Sequence, residues 1–369
     1  MSTDVGSVPA PVLAPAVVAE LREGVDWVGS WWPAIVLTVC AVAVFAWWSR
    51  RAHRHRRTWP LAVLAVALLA LNFGAVLNAW AGYVPSTRAG RLLLTGELSL
   101  AHGGHLDRAR IPVSPALHLP ESDTYVYTPP GYKASGATRY PVVYLLSGTP
   151  GTSADWFASG GAAHTMDVLL RNHLVRPMII VSPEVSPGDV SDTECLDSTK
   201  GGPQVETYLE SVVVPWVDAH YRTGTGWEDR LIGGMSMGGY CALDQGLRHQ
   251  DLYGTVLALE PYSNPGSGGR AMLSTQAEFD AHSPGVYLPS LVFHHPMVFF
   301  LDFGEDARGG DSSETEGLAR QLRERGQLVA LREEPGQEHT WNMARQGLPY
   351  GLVFASEHLP SAGRRLAPG

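Results

Sequence analysis

Residues 234 to 238 read Gly-Met-Ser-Met-Gly, a spacing that lets a serine sit on a sharp strand-to-helix turn with its hydroxyl presented for attack. The pattern is weak alone in a chain with 40 glycines, so its flanks decide. A short β-like run, Arg230-Leu231-Ile232, leads into it, and a helical pattern from Tyr240 to His249 leads out. Such a serine needs a general base and an acid that orients it, in chain order serine, acid, histidine. His339, in Glu338-His339-Thr340-Trp341, follows the last strand-like run and a Pro335-Gly336 turn. That place in the order sets it above His220 and His249, and above His294 and His295, which precede the acid candidates. The acid is expected after the run Val298 to Leu301, where Asp302, Glu305 and Asp306 stand. Asp306 is favoured because it follows Gly304 in a turn, whereas Asp302 at the strand end reads as structural. Charge developing on a tetrahedral intermediate calls for two backbone N–H donors. Met237, next after the serine, supplies one. Thr149, in the loop Ser147-Gly148-Thr149-Pro150-Gly151, supplies the other, since Pro150 has no N–H.

The elements that must hold these residues alternate. Strand-like runs occur at Tyr125–Tyr127, Val142–Leu146, Met178–Val181, Leu231–Ile232, Val256–Leu259, Val298–Leu301 and Leu328–Leu331. Helical patterns fall near His164–Leu170, Val205–Tyr221, Gly239–His249 and Thr315–Arg325. This alternation predicts an α/β fold with a mostly parallel sheet covered on both faces, over residues 121–360. In the helix 205–221, Val212, Val213, Trp216 and Val217 share a face and are expected in the core.

The N-terminal part reads differently. Hydrophobic residues are 45% of the chain and charged residues 17%, too apolar for an ordinary soluble enzyme, and the surplus lies before residue 86. Trp31–Trp48 and Trp59–Trp80 are charge-free runs long enough to cross a bilayer, with Asn72, Gly74 and Asn78 tolerable where the second packs on a neighbour. Between them stands Arg50-Arg51-Ala52-His53-Arg54-His55-Arg56-Arg57, while the first 29 residues hold Asp4, Glu20, Glu23 and Asp26 against Arg22. The excess of arginine places that loop in the cytoplasm and both flanks outside. The expected plan is an extracytoplasmic tail (1–29), a transmembrane hairpin (30–85), a linker (86–120) with an edge hairpin, and an exported domain. The alternative is that the second run is a secretory signal cleaved near Ala79-Trp80-Ala81. Either way Cys195 and Cys241 are exported, where a disulfide between them is expected and two buried thiols are the alternative.

Taken together, several stretches resemble the esterase D-like branch of the α/β hydrolases, which includes the antigen 85 mycolyltransferases. They are Tyr127-Thr128-Pro129-Pro130-Gly131-Tyr132, Arg139 to Gly148, Gly234 to Tyr240, and His339-Thr340-Trp341. Trp156 also fits an aromatic that follows the oxyanion loop in that group. The resemblance covers about residues 120 to 360. It departs at Ser147, where the group usually has histidine, and in Gly304-Glu305-Asp306, one residue shorter than the usual Gly-x-x-Asp.

These readings imply a membrane-anchored serine esterase working through an acyl-Ser236 intermediate, on an acyl ester that the resemblance suggests is an envelope glycolipid. Transfer of the acyl group to a sugar or lipid alcohol is the second reading, and a non-catalytic binding module the third. No cofactor or metal is expected: His102-Gly103-Gly104-His105 and His294-His295 lack acidic partners at ligand spacing. The first 85 residues carry about +2 of the net −9, leaving about −11 on the rest, which argues against a nucleic-acid partner.

Overall fold

The computed structural model describes residues 6–52, 59–98, 100, 103–186, 192–307 and 311–360. Its centre is an eight-stranded sheet in the order β1-β2-β4-β3-β5-β6-β7-β8. The strands are β1 (His105–Arg110), β2 (Asp123–Thr128), β3 (Val142–Leu146), β4 (Ile179–Ser182), β5 (Arg230–Met235), β6 (Thr255–Leu259), β7 (Val298–Gly304) and β8 (Leu328–Glu334). From β4 to β8 every pairing is parallel, while β1, β2 and β4 pair antiparallel. Strands β3, β5 and β6 are buried residue by residue, as parallel strands covered on both faces must be. Alternate side chains feed two cores: Val143 and Leu145 face one, Val142, Tyr144 and Leu146 the other. In the helical stretch 205–220, Val213 and Val217 are buried and Val212 and Trp216 pack partly buried against the same core.

Four helices precede the sheet: α1 (Pro15–Arg22), α2 (Trp32–Ala52), α3 (Trp59–Ala81) and α4 (Thr87–Thr95). Helices α2 and α3 are long and apolar enough to cross a membrane. At 1.5 Å per residue they span about 31 and 34 Å, against a hydrocarbon core of about 30 Å. Their apolar side chains point outward, with Val39 64%, Val66 66% and Phe73 65% exposed, which separates them from core helices. They pack on each other, and Thr38 Oγ1 donates to Asn72 Oδ1 at 3.3 Å across the pair. The basic stretch between them, residues 53–58, lies outside the described residues, as does His102.

Two segments depart from the expected plan. The stretch 86–120 is more than a linker: it contains α4, capped by the Ser86 side chain and closed by Gly96 in the left-handed region, and then β1. β1 carries little apolar alternation, and its pairing with β2 is supported by Arg108 and Arg110 converging on Asp123. Residues 6–22 also belong to the globular part. Gly6 and Val8 bond to Val329 along β8, and Leu13 and Val17 are buried in the core beside the helix Ala162–Arg171.

Candidate active site

Strand β5 ends at Met235 and the helix Met237–Arg248 starts at once, so Ser236 must take up the whole turn. It does so at φ 60°, ψ −123°, a conformation costly for a residue with a side chain and maintained only where the surroundings enforce it. The enforcement is packing by the two glycines. A Cβ on Gly234 would lie 2.2 Å from the Gly238 carbonyl oxygen, and one on Gly238 would lie 2.1 Å from the Leu146 carbonyl oxygen. The Ser236 N–H donates to the Leu259 carbonyl at 3.0 Å, tying the turn to β6.

The loop after β3 runs beside this turn: a Cβ on Gly148 would stand 3.2 Å from Ser236 Cβ. Trp156 is fully buried beneath the loop, and its indole N–H donates to the Leu146 carbonyl at 2.7 Å. Thr149 Oγ1 reaches Met237 Sδ at 2.8 Å. Among the described residues, neither the Met237 N–H, at the open start of its helix, nor the Thr149 N–H donates to the protein. Ser147 is buried with its hydroxyl unpartnered. Behind Thr149, Asp192 Oδ1 lies 3.5 Å from its hydroxyl. Burial, and then the charge of Asp192, push the carboxyl of Glu194 up to about 9, while the Tyr262 hydroxyl donates to it at 2.7 Å.

His339 and Ser236 line one cavity of about 620 Å³, together with Gly148 and Thr149. The acid beside His339 is Glu260, not Asp306. Glu260 Oε2 lies 2.6 Å from His339 Nδ1, an ion-pair contact bent away from a straight hydrogen bond. Its other oxygen accepts the Gly304 N–H at 2.9 Å. Glu260 is buried and sits just past β6 at φ 53°; its N–H donates to the Asp302 carbonyl at 2.7 Å.

The physical reason for the correction is the course of the chain after β7. The Asp306 N–H donates to the Gln337 carbonyl at 2.9 Å, which holds that loop down while leaving the side chain exposed. Glu305, also exposed, accepts the Gly336 N–H and so fixes the Pro335-Gly336 turn. Asp302 is fully buried with neither carboxyl oxygen partnered, and burial, then the charge of Glu334, raise its pKa well above the usual range. Of the four acids, Glu260 alone combines burial with a charged contact to the imidazole. The available signal in the sequence was an acid immediately after the strand that neighbours the nucleophile strand, at the sheet end where site residues collect.

Cys195 and Cys241 form a disulfide with a Cα separation of 5.6 Å, joining the Glu194 segment to the serine's helix. A cluster that sequence inspection did not reveal lies away from the cavity. His249 Nε2 is 2.7 Å from Glu206 Oε1 and also pairs with Glu210, and the two carboxylates raise the imidazole to about 9 against the opposing effect of burial.

The family model described as "Putative esterase" matches residues 120–346. An uncharacterized protein of Corynebacterium glutamicum is 32% identical over 148 residues, covering 40% of this chain and 34% of that protein. An esterase of Mycobacterium tuberculosis is 32% identical over 144 residues, covering 38% of this chain and 29% of its own length. The chain thus spans about a third of the length of these curated relatives. A ferulic acid esterase from Anaeromyces mucronatus, solved with ferulic acid, superposes with TM-score 0.55 at 22% identity, covering 70% of this chain and 92% of that one. That likeness shows a shared fold.

Proposed function

We propose that this chain, which belongs to the Esterase family, is a membrane-anchored serine esterase whose triad is Ser236, His339 and Glu260. The observation that carries the reading is the convergence on one cavity of an enforced serine turn, the Thr149 loop and an imidazole paired to a buried carboxylate. Ser236 Oγ attacks the ester carbonyl carbon as its proton passes to His339 Nε2. Glu260 keeps the other ring nitrogen protonated and stabilises the imidazolium. The N–H groups of Met237 and Thr149 take the oxyanion. The carbon–oxygen bond to the alcohol breaks, the alcohol leaves with the proton from His339, and water then releases the acid by the same route reversed.

The anchor is the hairpin of α2 and α3, with the catalytic domain outside the cytoplasm. Its length, its outward apolar side chains and the arginine-rich sequence 50–57 between its helices support this. So does the docking of residues 6–22 on the same domain that follows α3: segments flanking the hairpin then share one side of a bilayer, as an even number of crossings requires.

Labelling of intact cells with a membrane-impermeant fluorophosphonate tests activity and orientation together. A labelled band that disappears in Ser236→Ala is expected. Labelling that needs lysis would overturn the orientation, and no labelling of protein shown to be present would favour a non-catalytic module.

A further inference from the structure

The end of α3 is part of the cavity wall. Trp80, Ala81 and Tyr83 line it with Pro150, Met235 and Trp341, around Ser236 and His339. These contacts are built into the domain. The Trp80 indole N–H donates to Glu338 Oε2 at 3.2 Å, one residue before His339. Asn342 Nδ2 donates to the Trp80 carbonyl at 3.0 Å, Arg345 donates to the Gly82 carbonyl at 3.1 Å, and the Tyr83 hydroxyl donates to Asp155 at 3.0 Å.

The same residue marks the membrane boundary. Trp80 is half exposed and stands at the domain end of the hairpin. At that end Asn78 Nδ2 donates to the carbonyl of Val28, beside exposed Trp27, Trp31 and Trp32. Indoles at the end of an apolar helix sit at headgroup level, with the ring in apolar surroundings and the N–H on a polar partner. A wall and a headgroup belt that share Trp80 put the mouth of the reaction chamber at the bilayer surface.

Resting on the esterase and anchor readings above, we infer that the substrate is a membrane-resident acyl ester, whose ester carbonyl reaches Ser236 past Trp80 while its chain leaves the bilayer only in part. Pulling a long acyl chain wholly into water costs free energy with every methylene. A site fixed at headgroup depth avoids most of that transfer. The bonds made and broken are those of the acyl-serine cycle, with the ester's alcohol as first leaving group and water as second reactant.

The test reconstitutes the full chain in phosphatidylcholine–phosphatidylglycerol vesicles and compares two esters of one fluorogenic alcohol. 4-Methylumbelliferyl oleate is placed in the enzyme's own vesicles or in separate ones, and soluble 4-methylumbelliferyl butyrate is the reference. Oleate in the same vesicles is expected to turn over at least tenfold faster than in separate vesicles. Equal rates in the two arrangements, or oleate left intact while butyrate is cleaved, would overturn the inference and leave the esterase reading standing. If neither ester is cleaved, both readings fall. Trp80→Ala is expected to lower the rate on oleate in the enzyme's vesicles at least fivefold more than on butyrate. Equal losses would show that Trp80 only supports the His339 loop and would overturn its role in substrate entry.

Discussion

The assignment of Glu260 as the acid makes a quantitative prediction. Glu260→Gln keeps the side-chain shape and leaves Oε1 able to accept the Gly304 N–H, which turns the new amide NH2 toward His339 Nδ1. Nδ1 must then accept instead of donate, the proton moves to Nε2, and the ring cannot take a proton from Ser236. The charge is lost as well. At 2.6 Å and an effective dielectric near 20, such a pair is worth about 6 kcal/mol. The imidazole is 32% exposed, so solvent screens part of this and leaves about 3 to 5 kcal/mol, or roughly 10² to 10⁴ in rate. The assay is kcat/KM on a soluble butyrate ester, with circular dichroism to show that the variant is folded. Asp306→Asn, which changes an exposed side chain, is expected to stay within about threefold of the parent. An Asp306 variant that loses the larger share, beside a Glu260→Gln that retains activity, would refute the assignment.

Three further outcomes concern stability. Cys195 and Cys241 are 46 residues apart, so in the chain-entropy description their link is worth about 4 kcal/mol; Cys241→Ser, or reductant on the parent, should lower the melting temperature measurably. His249 is raised from its ordinary value of 6.5 to about 9. Its stabilisation is therefore complete below about pH 6.5 and lost as pH rises through 9, on the order of 3 kcal/mol. The difference in urea midpoint between parent and His249→Gln should accordingly shrink between pH 6.5 and 10. Asp302 has a raised pKa in the fold, so it favours the folded state below about pH 4 and costs stability as pH rises from there toward that raised value. Asp302→Asn should thus improve in thermal stability relative to the parent between pH 4 and pH 8, and a pH-independent difference would mean the buried carboxyl does not hold its proton.

The turn at Ser236, and the approach of His339 and the Thr149 loop to one cavity, were legible because each depends on features local in sequence. A strand, a tight turn and a helix in succession leave Ser236 little choice, and the glycines show where chain must pass within van der Waals reach. Core strands were legible for the same reason: β3, β5 and β6 are short apolar runs because both faces are covered. The carboxylate beside His339 was not, because it depends on where two neighbouring strand ends point. β6 and β7 lie side by side, so residues past either end can approach one histidine loop. The choice falls to the backbone after each strand: Glu260 turns inward at φ 53°, while the Asp306 loop is drawn to Gln337 and faces out. The docked N-terminal residues escaped for a related reason. Their place comes from a partner far along the chain, Val329, and not from a periodic apolar face of their own.

Dependence on distant partners also bears on how the proposed anchor and the candidate active site relate. A tether that merely kept an esterase near a membrane would leave through a linker free to swivel. Here the chain emerges from α3 directly into hydrogen bonds with Glu338, Asn342 and Arg345, which bracket His339 and the start of the helix Trp341–His358. Residues 6–22 clasp the opposite flank of the hairpin to the same body. Each constraint removes orientational freedom that the catalytic domain would otherwise have to lose on meeting its substrate, so the ordering cost is met in folding and not in each encounter. An enzyme held by α2 and α3 as proposed would exchange reach for alignment, a useful trade for an ester that lies in the same membrane.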